Sequence, residues 1–383
     1  MRDIYGVNNP FKEDKVTSAC SIFGVIDTSG KRFSGEGVIR AMSNMRDRGN
    51  GLGGGFAVYG LYPQYADCYA FHIMYLSRRG KKETEGFLKE NFKTVFSEEV
   101  PTRPIPAIKK TPIVWRYFLR TENHLLNGQA EEEYIAEAVM TINTRLSDSF
   151  VFSSGRDMAV FKGVGYPEDI AEFFCLEQYQ GYLWTAHSRF PTNSSAWWGG
   201  AHPFGLLNWT VVHNGEISSY GINRRYLETF GYRCTMETDT EVITYAIDLL
   251  VRKHNLPIEI AVQVLAPPFW SEIERLPEKE RELLVTLRQV YGSLLLNGPF
   301  AVIIAREGEM IGLTDRIRLR PLIAASKGSR LYLSSEESAI RLISPELDKV
   351  WLPVGGWPVV ARLNQTGQDE IVKTAMASGL KSG

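Results

Sequence analysis

The chain has little of what would tie it to a metal, a membrane or a nucleic acid. Its six histidines lie without metal-ligand spacing, its four cysteines include no Cys-x-x-Cys pair, and no apolar run is long enough to span a bilayer. The 43 basic and 44 acidic residues nearly cancel, so the net charge of −1 gives no reason to expect nucleic acid or an anionic membrane as a partner. We expect no metal and no other cofactor.

The few cysteines also indicate a compartment. Cys20, Cys68, Cys175 and Cys234 are widely separated in a chain of 383 residues, which is too large to need disulfides for stability. Free thiols and a cytoplasmic location are therefore expected. Residues 1–19 have no apolar central stretch and do not resemble a secretory signal. They form either a disordered tail or a segment that is removed, and composition alone favours the tail.

The apolar pattern predicts an α+β protein built on antiparallel sheets. Residues 21–27 indicate a buried strand, residues 36–46 have the spacing of a helix, and short apolar segments joined by Gly or charged turns dominate from 151 onward. Two further helices are predicted at 238–254 and 270–290. Five glycines between 49 and 55 indicate close backbone packing or a substrate that passes nearby.

Residues 76–150 differ in composition from the rest, because they are rich in charge and proline. They predict an inserted subdomain of two helices and one or two strands. The expected organisation is a leader at 1–19, a main domain at 20–75 and 150–383, and an insertion at 76–150.

Cys20 stands directly in front of the first predicted strand. A free cysteine is most often a small buried hydrophobic residue, which is the default for the other three. If the chain were cut before Cys20, however, its thiol would share a residue with a free α-amine whose pKa is about 7.7–8.0. Such an amine could take the thiol proton and later protonate a leaving ammonia.

Arg189 follows a predicted strand, in the run Arg-Phe-Pro-Thr. Arginine at such a place is usually solvated or salt-bridged. Here Pro191 ends the strand, which leaves the charge at the rim of a sheet where ligands commonly bind. The planar guanidinium suits a two-pronged contact with a carboxylate, such as that of an amino acid.

The dipeptide Asn214-Gly215 follows the apolar segment Trp209–Val212. Asn-Gly is a common tight-turn dipeptide, so an ordinary turn is the default. The alternative is that the Asn214 amide and the Gly215 N–H point in one direction and stabilise a developing oxyanion.

The run Thr238-Asp239-Thr240-Glu241 matches a helix capping box, with Thr238 as N-cap and Glu241 at the third helical position. Asp239 would then lie exposed at the helix start. Together with Arg189 it would complete a site for a zwitterion, with the arginine on the carboxylate and the aspartate on the ammonium.

Two sets of arginines are weaker candidates, and we interpret both as more structural than catalytic. Arg48 ends the first predicted helix, where a cation is favourable. Arg316, Arg318 and Arg320 lie in a stretch that predicts a basic turn; alternatively, since they alternate, they could share one face of a strand and meet a partner or an anion.

The order of these motifs resembles the class II glutamine amidotransferases. It comprises Cys-x-x-x-Gly, Arg-Asp-Arg-Gly, Arg-Phe-Pro-Thr, His-Asn-Gly-Glu, Thr-Asp-Thr-Glu and Leu-Arg-Pro-Leu. The glutaminase portions of glutamate synthase and of amidophosphoribosyltransferase are the most similar. The Arg-Phe-x-Thr-Asn form, with Trp197 and Trp198 close behind, favours glutamate synthase. The resemblance covers Cys20–Tyr75 and about 150–365.

The resemblance implies a fold, a reaction and a set of roles. The fold would be the N-terminal-nucleophile hydrolase sandwich, with two antiparallel sheets between helical layers. Residues 1–19 would be removed, and Cys20 would attack L-glutamine to form a thioester and release ammonia. Asn214 and Gly215 would form an oxyanion hole. The substrate site would be formed by Arg189, Asp239, Arg48, His213 and Thr192.

The chain also departs from the large members of this family. It has no acidic, Gly-rich phosphoribosyl-diphosphate loop and no cysteine cluster for an iron–sulfur centre. We therefore expect a glutaminase subunit that passes ammonia to a partner synthase, namely a flavin-containing glutamate synthase subunit. The alternatives are an amidophosphoribosyltransferase-like glutaminase, another amidase of the same fold, and a non-catalytic module that senses glutamine.

The role implied for Arg189 predicts the effect of a conservative change. Arg189→Lys should mainly weaken glutamine binding, because a single ammonium cannot reproduce the two-pronged contact with a carboxylate. Steady-state kinetics should then show a raised KM for glutamine. An unchanged KM would contradict the role.

Overall fold

In a computed structural model, the described residues are 19–126, 128–190 and 196–364. Most strands begin and end where the apolar segments of the sequence do. The strands are β1 (Ser21–Asp27), β2 (Phe33–Ser34), β3 (Gly54–Tyr59), β4 (Tyr69–Tyr75), β5 (Lys93–Glu99), β6 (Ile113–Arg120), β7 (Ser149–Ser153), β8 (Met158–Gly163), β9 (Gln180–Gly181), β10 (Leu183–Ser188), β11 (Phe204–Leu206), β12 (Trp209–Gly215), β13 (Phe300–Arg306), β14 (Glu309–Thr314), β15 (Ile323–Lys327), β16 (Arg330–Ser334), β17 (Lys349–Trp351) and β18 (Val359–Arg362).

The helices lie in blocks between these strands. They are α1 (Glu36–Asn44), α2 (Arg78–Asn91), α3 (Asn123–Leu126), α4 (Glu131–Arg145), α5 (Pro167–Phe173), α6 (Tyr220–Glu228), α7 (Asp239–Ile247), α8 (Ile258–Leu265), α9 (Trp270–Ile273), α10 (Glu278–Tyr291) and α11 (Glu337–Ile343). A short 3₁₀ turn, Arg46–Arg48, follows α1, and a π-helical segment, Asp248–Lys253, continues α7. Within the described ranges, no helix combines the length and apolar character that crossing a membrane requires.

Two antiparallel sheets face each other at the centre of the protein. The first has the order β17-β15-β16-β1-β10-β3-β8, and the second has the order β11-β12-β13-β14-β18. β1 packs against β12, β13 and β14 across the interface, while α1 and α5 cover the outside of the first sheet and α7 covers the second. The expected αββα sandwich of antiparallel sheets is confirmed.

The hydrophobic core follows from the two-residue period of the strands. Along β13, Ala301 and Ile303 point into the cluster between the sheets, whereas Val302 and Ile304 point into a second cluster beneath the helices. In β1 every residue is buried, so its continuous apolar run fits a central strand covered on both faces.

A third sheet, β5-β6-β4-β7, contains β5 and β6, the two strands that lie wholly within the predicted insertion. Its strands β4 and β7 come from either side of 76–150, so the sheet joins this region to the main body. Ala70 and Met74 belong to the cluster between the large sheets, and Phe71 and Ile73 belong to the second cluster. The domain boundaries themselves stay a prediction.

Two helix predictions were wrong in detail. The single helix expected at 270–290 is divided into α9 and α10, because Pro277 has no N–H to donate within a continuous helix. The helices α5, α6, α8 and α11 were not predicted; α8, for example, has six apolar residues interrupted by Glu259 and Gln263, a pattern as typical of a buried strand as of a short helix.

The glycine-rich segment before β3 allows close backbone packing, the first of the two alternatives. A Cβ on Gly55 would lie 2.3 Å from the carbonyl oxygen of His202 and 2.6 Å from the Cβ of Lys162. A Cβ on Gly53 would lie 3.0 Å from Cδ of Arg189. The segment around His202 can therefore lie directly on the strand.

This packing predicts that Gly55→Ala destabilises the protein by about 1–3 kcal/mol, because backbone atoms would have to move. The matched control is Gly86→Ala in α2, where a Cβ meets nothing within 4 Å. That change should stabilise the protein by roughly 0.5–1 kcal/mol, since alanine favours a helix. Urea denaturation measures both, and equal effects would contradict the packing argument.

Candidate active site

Cys20 and Arg189 lie at the same end of the first sheet. β1 pairs with β10 in a register that places Ser21 opposite Ser188, so the next positions outward are Cys20 and Arg189. Because side chains alternate along a strand, Cys20 shares a face with Ile22 and points toward the second sheet. Cys20 itself is half-buried. Two residues that are 169 positions apart in sequence thus meet through strand pairing.

The backbone on either side of Cys20 is held by Arg48. The N–H of Ala19 donates to the carbonyl oxygen of Arg48 at 3.2 Å, and Nε of Arg48 donates to the carbonyl oxygen of Cys20 at 3.3 Å. Arg48 also forms an ion pair with Glu336 at 3.0 Å. Arg48 lies in the 3₁₀ turn after α1 and not in the helix itself, and it is not among the residues that line the cavity beside Cys20. Its contacts position the cysteine.

A cavity of about 650 Å³ opens beside Cys20. It is lined from both sheets and from the start of α7. Of the eight residues to which the resemblance gave a catalytic or substrate role, six line it, namely Cys20, Arg189, His213, Asn214, Gly215 and Asp239. Of the other two, Arg48 does not line it, and Thr192 lies outside the described residues.

The Cys20 thiol is held in its protonated form. Burial raises its pKa, and the Asp239 carboxylate raises it further. The N–H of Phe190, which donates to Sγ at 3.2 Å, opposes this, and so do the cations Arg189 and Arg320. Since burial outweighs these groups, the thiol needs a base before it can act as a nucleophile.

Asn214 and Gly215 belong to a strand, so the predicted tight turn was wrong. They pair with Ala301 and Phe300 of β13, and this pairing extends β12 through Gly215. Gly215 has a φ of +143°, and a Cβ there would lie 2.0 Å from the carbonyl oxygen of Pro299. This position therefore requires glycine.

The Asn214 side chain reaches Ser335, the residue that follows β16 of the facing sheet. It is fully buried, and its Nδ2 donates to Oγ of Ser335 at a long 3.4 Å. Ser335 Oγ in turn accepts from the N–H of Ile22 at 3.1 Å. Through Ser335, the Asn214 amide is linked to the backbone of Ile22, two residues after Cys20. Its Nδ2 donor is weakly held, so it could turn to an oxygen that develops negative charge near Cys20.

Asp239 begins α7 and points into the cavity. Its Oδ2 accepts from the N–H of Ile217 at 3.2 Å, and its Oδ1 lies 3.4 Å from Nδ1 of His213. Burial opposes ionisation, but attraction to His213 and the hydrogen bonds hold the pKa of Asp239 below its ordinary value. The side chain is only 24% exposed, so the expected exposed carboxylate was wrong. It is a largely buried, charged acceptor.

Thr238 is the N-cap of α7, as predicted, and accepts from the N–H of Glu241 at 3.3 Å. The second half of the predicted capping box is absent from the described residues. The Glu241 carboxylate instead accepts from the N–H groups of Thr235 and Met236 at 3.0 and 2.9 Å. Burial raises the pKa of Glu241 to about 7. Its role in the structure is to fix the loop that leads to Asp239.

Arg189 is buried and its guanidinium is closely enclosed. Its backbone N–H donates to the carbonyl oxygen of Gly53 at 2.8 Å, and a Cβ on Gly200 would lie 3.2 Å from Nη1. Burial lowers the pKa of Arg189, while Cys20 and Asp239 favour its charged form. Arginine nevertheless stays protonated in proteins, so Arg189 places a fixed cation in the cavity that Asp239 also lines.

Arg320 was assigned a structural role from the sequence, but it lines the cavity and favours the thiolate of Cys20. Arg316 and Arg318 line a different groove. The three arginines lie in a turn, as predicted, and the alternative that they share a strand face was wrong, because Arg318 has a φ of +55° and β15 begins only at Ile323. The neighbouring Pro321 was the sequence signal that this segment is not a regular strand.

The proximity of Arg320 predicts a change in thiol reactivity. Arg320→Met should slow the alkylation of Cys20 by iodoacetamide at neutral pH about twofold or more, because the thiolate loses a nearby cation. Arg318→Met is the matched control and should leave the rate unchanged. Peptide mapping by mass spectrometry separates Cys20 from the other cysteines, and equal rates in both variants would contradict the assignment.

Comparisons with known proteins identify the family of the chain. The profile of the family described as "Glutamine amidotransferases class-II" matches residues 79–350, more than half of the chain. An uncharacterized protein of Archaeoglobus fulgidus is 55% identical over 364 residues, which cover 94% of this chain and 96% of that protein. A putative glutamine amidotransferase of Methanothermobacter thermautotrophicus is 25% identical over 327 residues, covering 84% and 93%.

The large chain of glutamate synthase [NADPH] from Bacillus subtilis is also similar. It is 25% identical over 243 residues, which cover 57% of this chain and 15% of that protein. With the profile match extending over most of both sheets and the helices between them, the chain belongs to the class II glutamine amidotransferases.

Proposed function

We propose that this protein hydrolyses L-glutamine to glutamate and ammonia through a thioester on Cys20, and that it passes the ammonia to a partner synthase. The observation that carries the proposal is the content of one cavity, where a thiol, the Arg189 cation and the Asp239 anion meet. A free α-amino acid has one carboxylate and one ammonium at fixed separation. The cation and the anion match these two groups, and the thiol is left for the side-chain amide.

The base in this mechanism is the α-amine of Cys20. In the uncut chain the nitrogen of Cys20 is an amide, which does not accept a proton, so removal of residues 1–19 is required. Near neutral pH a free α-amine is partly unprotonated. It takes the proton from Sγ, which relieves the effect of burial that keeps the thiol neutral.

The reaction then has two steps. Sγ attacks the amide carbon of glutamine, the carbon–nitrogen bond breaks, and the protonated amine gives its proton to the leaving ammonia. Water next attacks the thioester and the carbon–sulfur bond breaks. Glutamate is released and the Cys20 thiol is restored. In both steps the oxyanion would accept from the Asn214 side chain and the Gly215 N–H, and losing one such donor typically costs about 10²–10³ in rate.

Other residues hold these groups in place. His213 contacts the Asp239 carboxylate at 3.4 Å and thereby fixes the anion that would bind the substrate ammonium. Arg48 holds the backbone at Cys20. Thr192 follows Arg189 closely in sequence and would contact substrate from the same segment.

The partner we propose is a glutamate synthase subunit that carries flavin. Support comes from the Arg-Phe-x-Thr-Asn motif and from the similarity to a part of the B. subtilis glutamate synthase large chain. The proposed place is the cytoplasm, because all four cysteines are free thiols. Identifying the polypeptide that co-purifies with the protein tests this partner. A phosphoribosyltransferase as the co-purifying polypeptide would favour the alternative, an amidophosphoribosyltransferase-like glutaminase.

Cys20→Ala tests the reaction itself. The variant should release no measurable ammonia from glutamine, because the nucleophile is gone, while free ammonia should still support the partner reaction. Cys175→Ala removes a different, partly exposed thiol and should retain full activity. Ammonia release is measured directly, and activity in Cys20→Ala equal to that of the wild type would refute the proposal.

Intact-mass measurement separates this proposal from a glutamine sensor without turnover. The catalytic protein must begin at Cys20, because only then is the amine free. A protein that keeps residues 1–19, binds glutamine and releases no ammonia would favour the sensor.

A further inference from the structure

Lys162 is a buried lysine with no role in the reaction described above. It lies in β8, faces the space between the two large sheets and is 1% exposed. Its Nζ donates to the carbonyl oxygen of Gly199 at 3.0 Å and lies 4.1 Å from the centre of the Phe204 ring and 4.8 Å from that of Phe152. Burying an amine is unfavourable unless it is hydrogen-bonded, so the contact with Gly199 is essential to this arrangement.

The strand register explains how Lys162 reaches this carbonyl. His187, Gly55 and Lys162 form one row across β10, β3 and β8. Because Gly55 has no side chain, the row contains a gap, and the backbone at His202 lies over it. Lys162 extends beside this gap and contacts the same segment at Gly199, three residues before His202.

The segment that Lys162 holds forms one side of the enclosure around Arg189. A Cβ on Gly200 would lie only 3.2 Å from Nη1 of Arg189, so the backbone of Gly200 packs directly against the guanidinium. The other side of the arginine packs on Gly53. A continuous path therefore leads from the amine of Lys162, through Gly199 and Gly200, to the cation in the cavity.

The hydrogen bond does not depend on the charge of Lys162. Burial lowers the pKa of Lys162 to about 7, attraction to Glu241 opposes this, and repulsion from Arg189 adds to it. Both the charged and the neutral amine carry N–H groups that can donate to the Gly199 carbonyl. An uncharged donor of similar reach should therefore replace the lysine.

We propose that Lys162 is a positioning residue for substrate recognition, which fixes the Gly199–Gly200 backbone and so orients the Arg189 guanidinium toward the substrate carboxylate. This inference rests on the proposed glutaminase function. Lys162 does not touch substrate and acts only through Arg189. Its loss should weaken the binding of glutamine and leave the chemistry at Cys20 unchanged.

A matched pair of variants tests this role. Lys162→Met keeps the length of the side chain and removes the donor, and Lys162→Gln keeps a donor without a charge. We expect the methionine variant to raise the KM for glutamine about tenfold at nearly unchanged kcat, because one buried hydrogen bond is lost on the binding side only. The Lys162→Gln variant should recover most of the affinity for the substrate.

Stability provides the readout that a purely structural role would move. Lys162→Met replaces a buried amine by an apolar chain, so its Tm should equal or exceed that of the wild type. Lys327→Met is the control, since Lys327 pairs with Asp348 at the opposite end of the sheet and should leave KM unchanged. A methionine variant with wild-type KM, or one in which kcat falls in place of affinity, would overturn the inference.

A second variant reaches the same contact from the other side and does not alter Lys162. Gly200→Ala would place a Cβ against the Arg189 guanidinium and 2.8 Å from Nε1 of Trp197. It should raise KM in the same way, and the double variant with Lys162→Met should show less than the product of the two effects. Fully independent effects would overturn the inference. A wild-type KM in Gly200→Ala alone would also overturn it, and this result stays informative even if Lys162→Met proves poorly folded.

Calorimetric titration of glutamine into Cys20→Ala, with and without Lys162→Met, separates the two proposals. If the wild type neither hydrolyses nor binds glutamine, the proposed function fails. If the wild type does both and Lys162→Met leaves KM and Kd unchanged, only the role of Lys162 fails. If glutamine binds about tenfold more weakly to Cys20→Ala/Lys162→Met than to Cys20→Ala, the result supports both proposals.

Discussion

The pairing of β1 with β10 is the constraint on which the site depends. A register that sets Ser21 opposite Ser188 also sets Cys20 opposite Arg189. A slip of one residue would turn Cys20 to the outer face of the sheet, because the side-chain period of a strand is two. The register is in turn fixed by apolar burial, since Ile22 and Ile26 of β1 have no exposed surface and fill the space between the sheets. The hydrophobic core thus determines the geometry of a polar site.

The charges around the cavity are stable because each has a defined environment. Asp239 is held ionised by His213 and a backbone N–H, and the Glu241 carboxylate accepts two backbone N–H groups in the loop before it. Lys162 is accommodated by a carbonyl oxygen and two aromatic rings. Buried polar groups with such partners are rigid, and rigidity is what a site for a small zwitterion needs. The same burial keeps the Cys20 thiol neutral until a base is available.

Much of the fold could be predicted from local patterns. The continuous apolar run of β1 predicted its bounds, and Thr238 predicted the start of α7, because a strand period and an N-cap each involve only a few neighbouring residues. The predicted helix at 270–290 failed at Pro277, where two short helices replace one. The site was predicted as a set of motifs, and the cavity unites most of them. The insertion and its boundaries depend on how β4 pairs with β6 on one side and with β7 on the other, which no local pattern contains.

The sequence by itself indicated the side chains to which we assign the chemistry, since a thiol, an arginine, an amide and a carboxylate are recognisable wherever they lie. Only the tertiary structure decided that Asn214 and Gly215 continue a strand, because their partners Ala301 and Phe300 lie more than 80 residues away. It also decided that Arg320 enters the cavity while Arg318 does not, since the backbone turns at Arg318. Lys162 looked like an ordinary strand residue, and the role that we propose for it depends on a gap at Gly55 on the neighbouring strand. Contacts between distant segments depend on packing, and packing is a property of the whole chain.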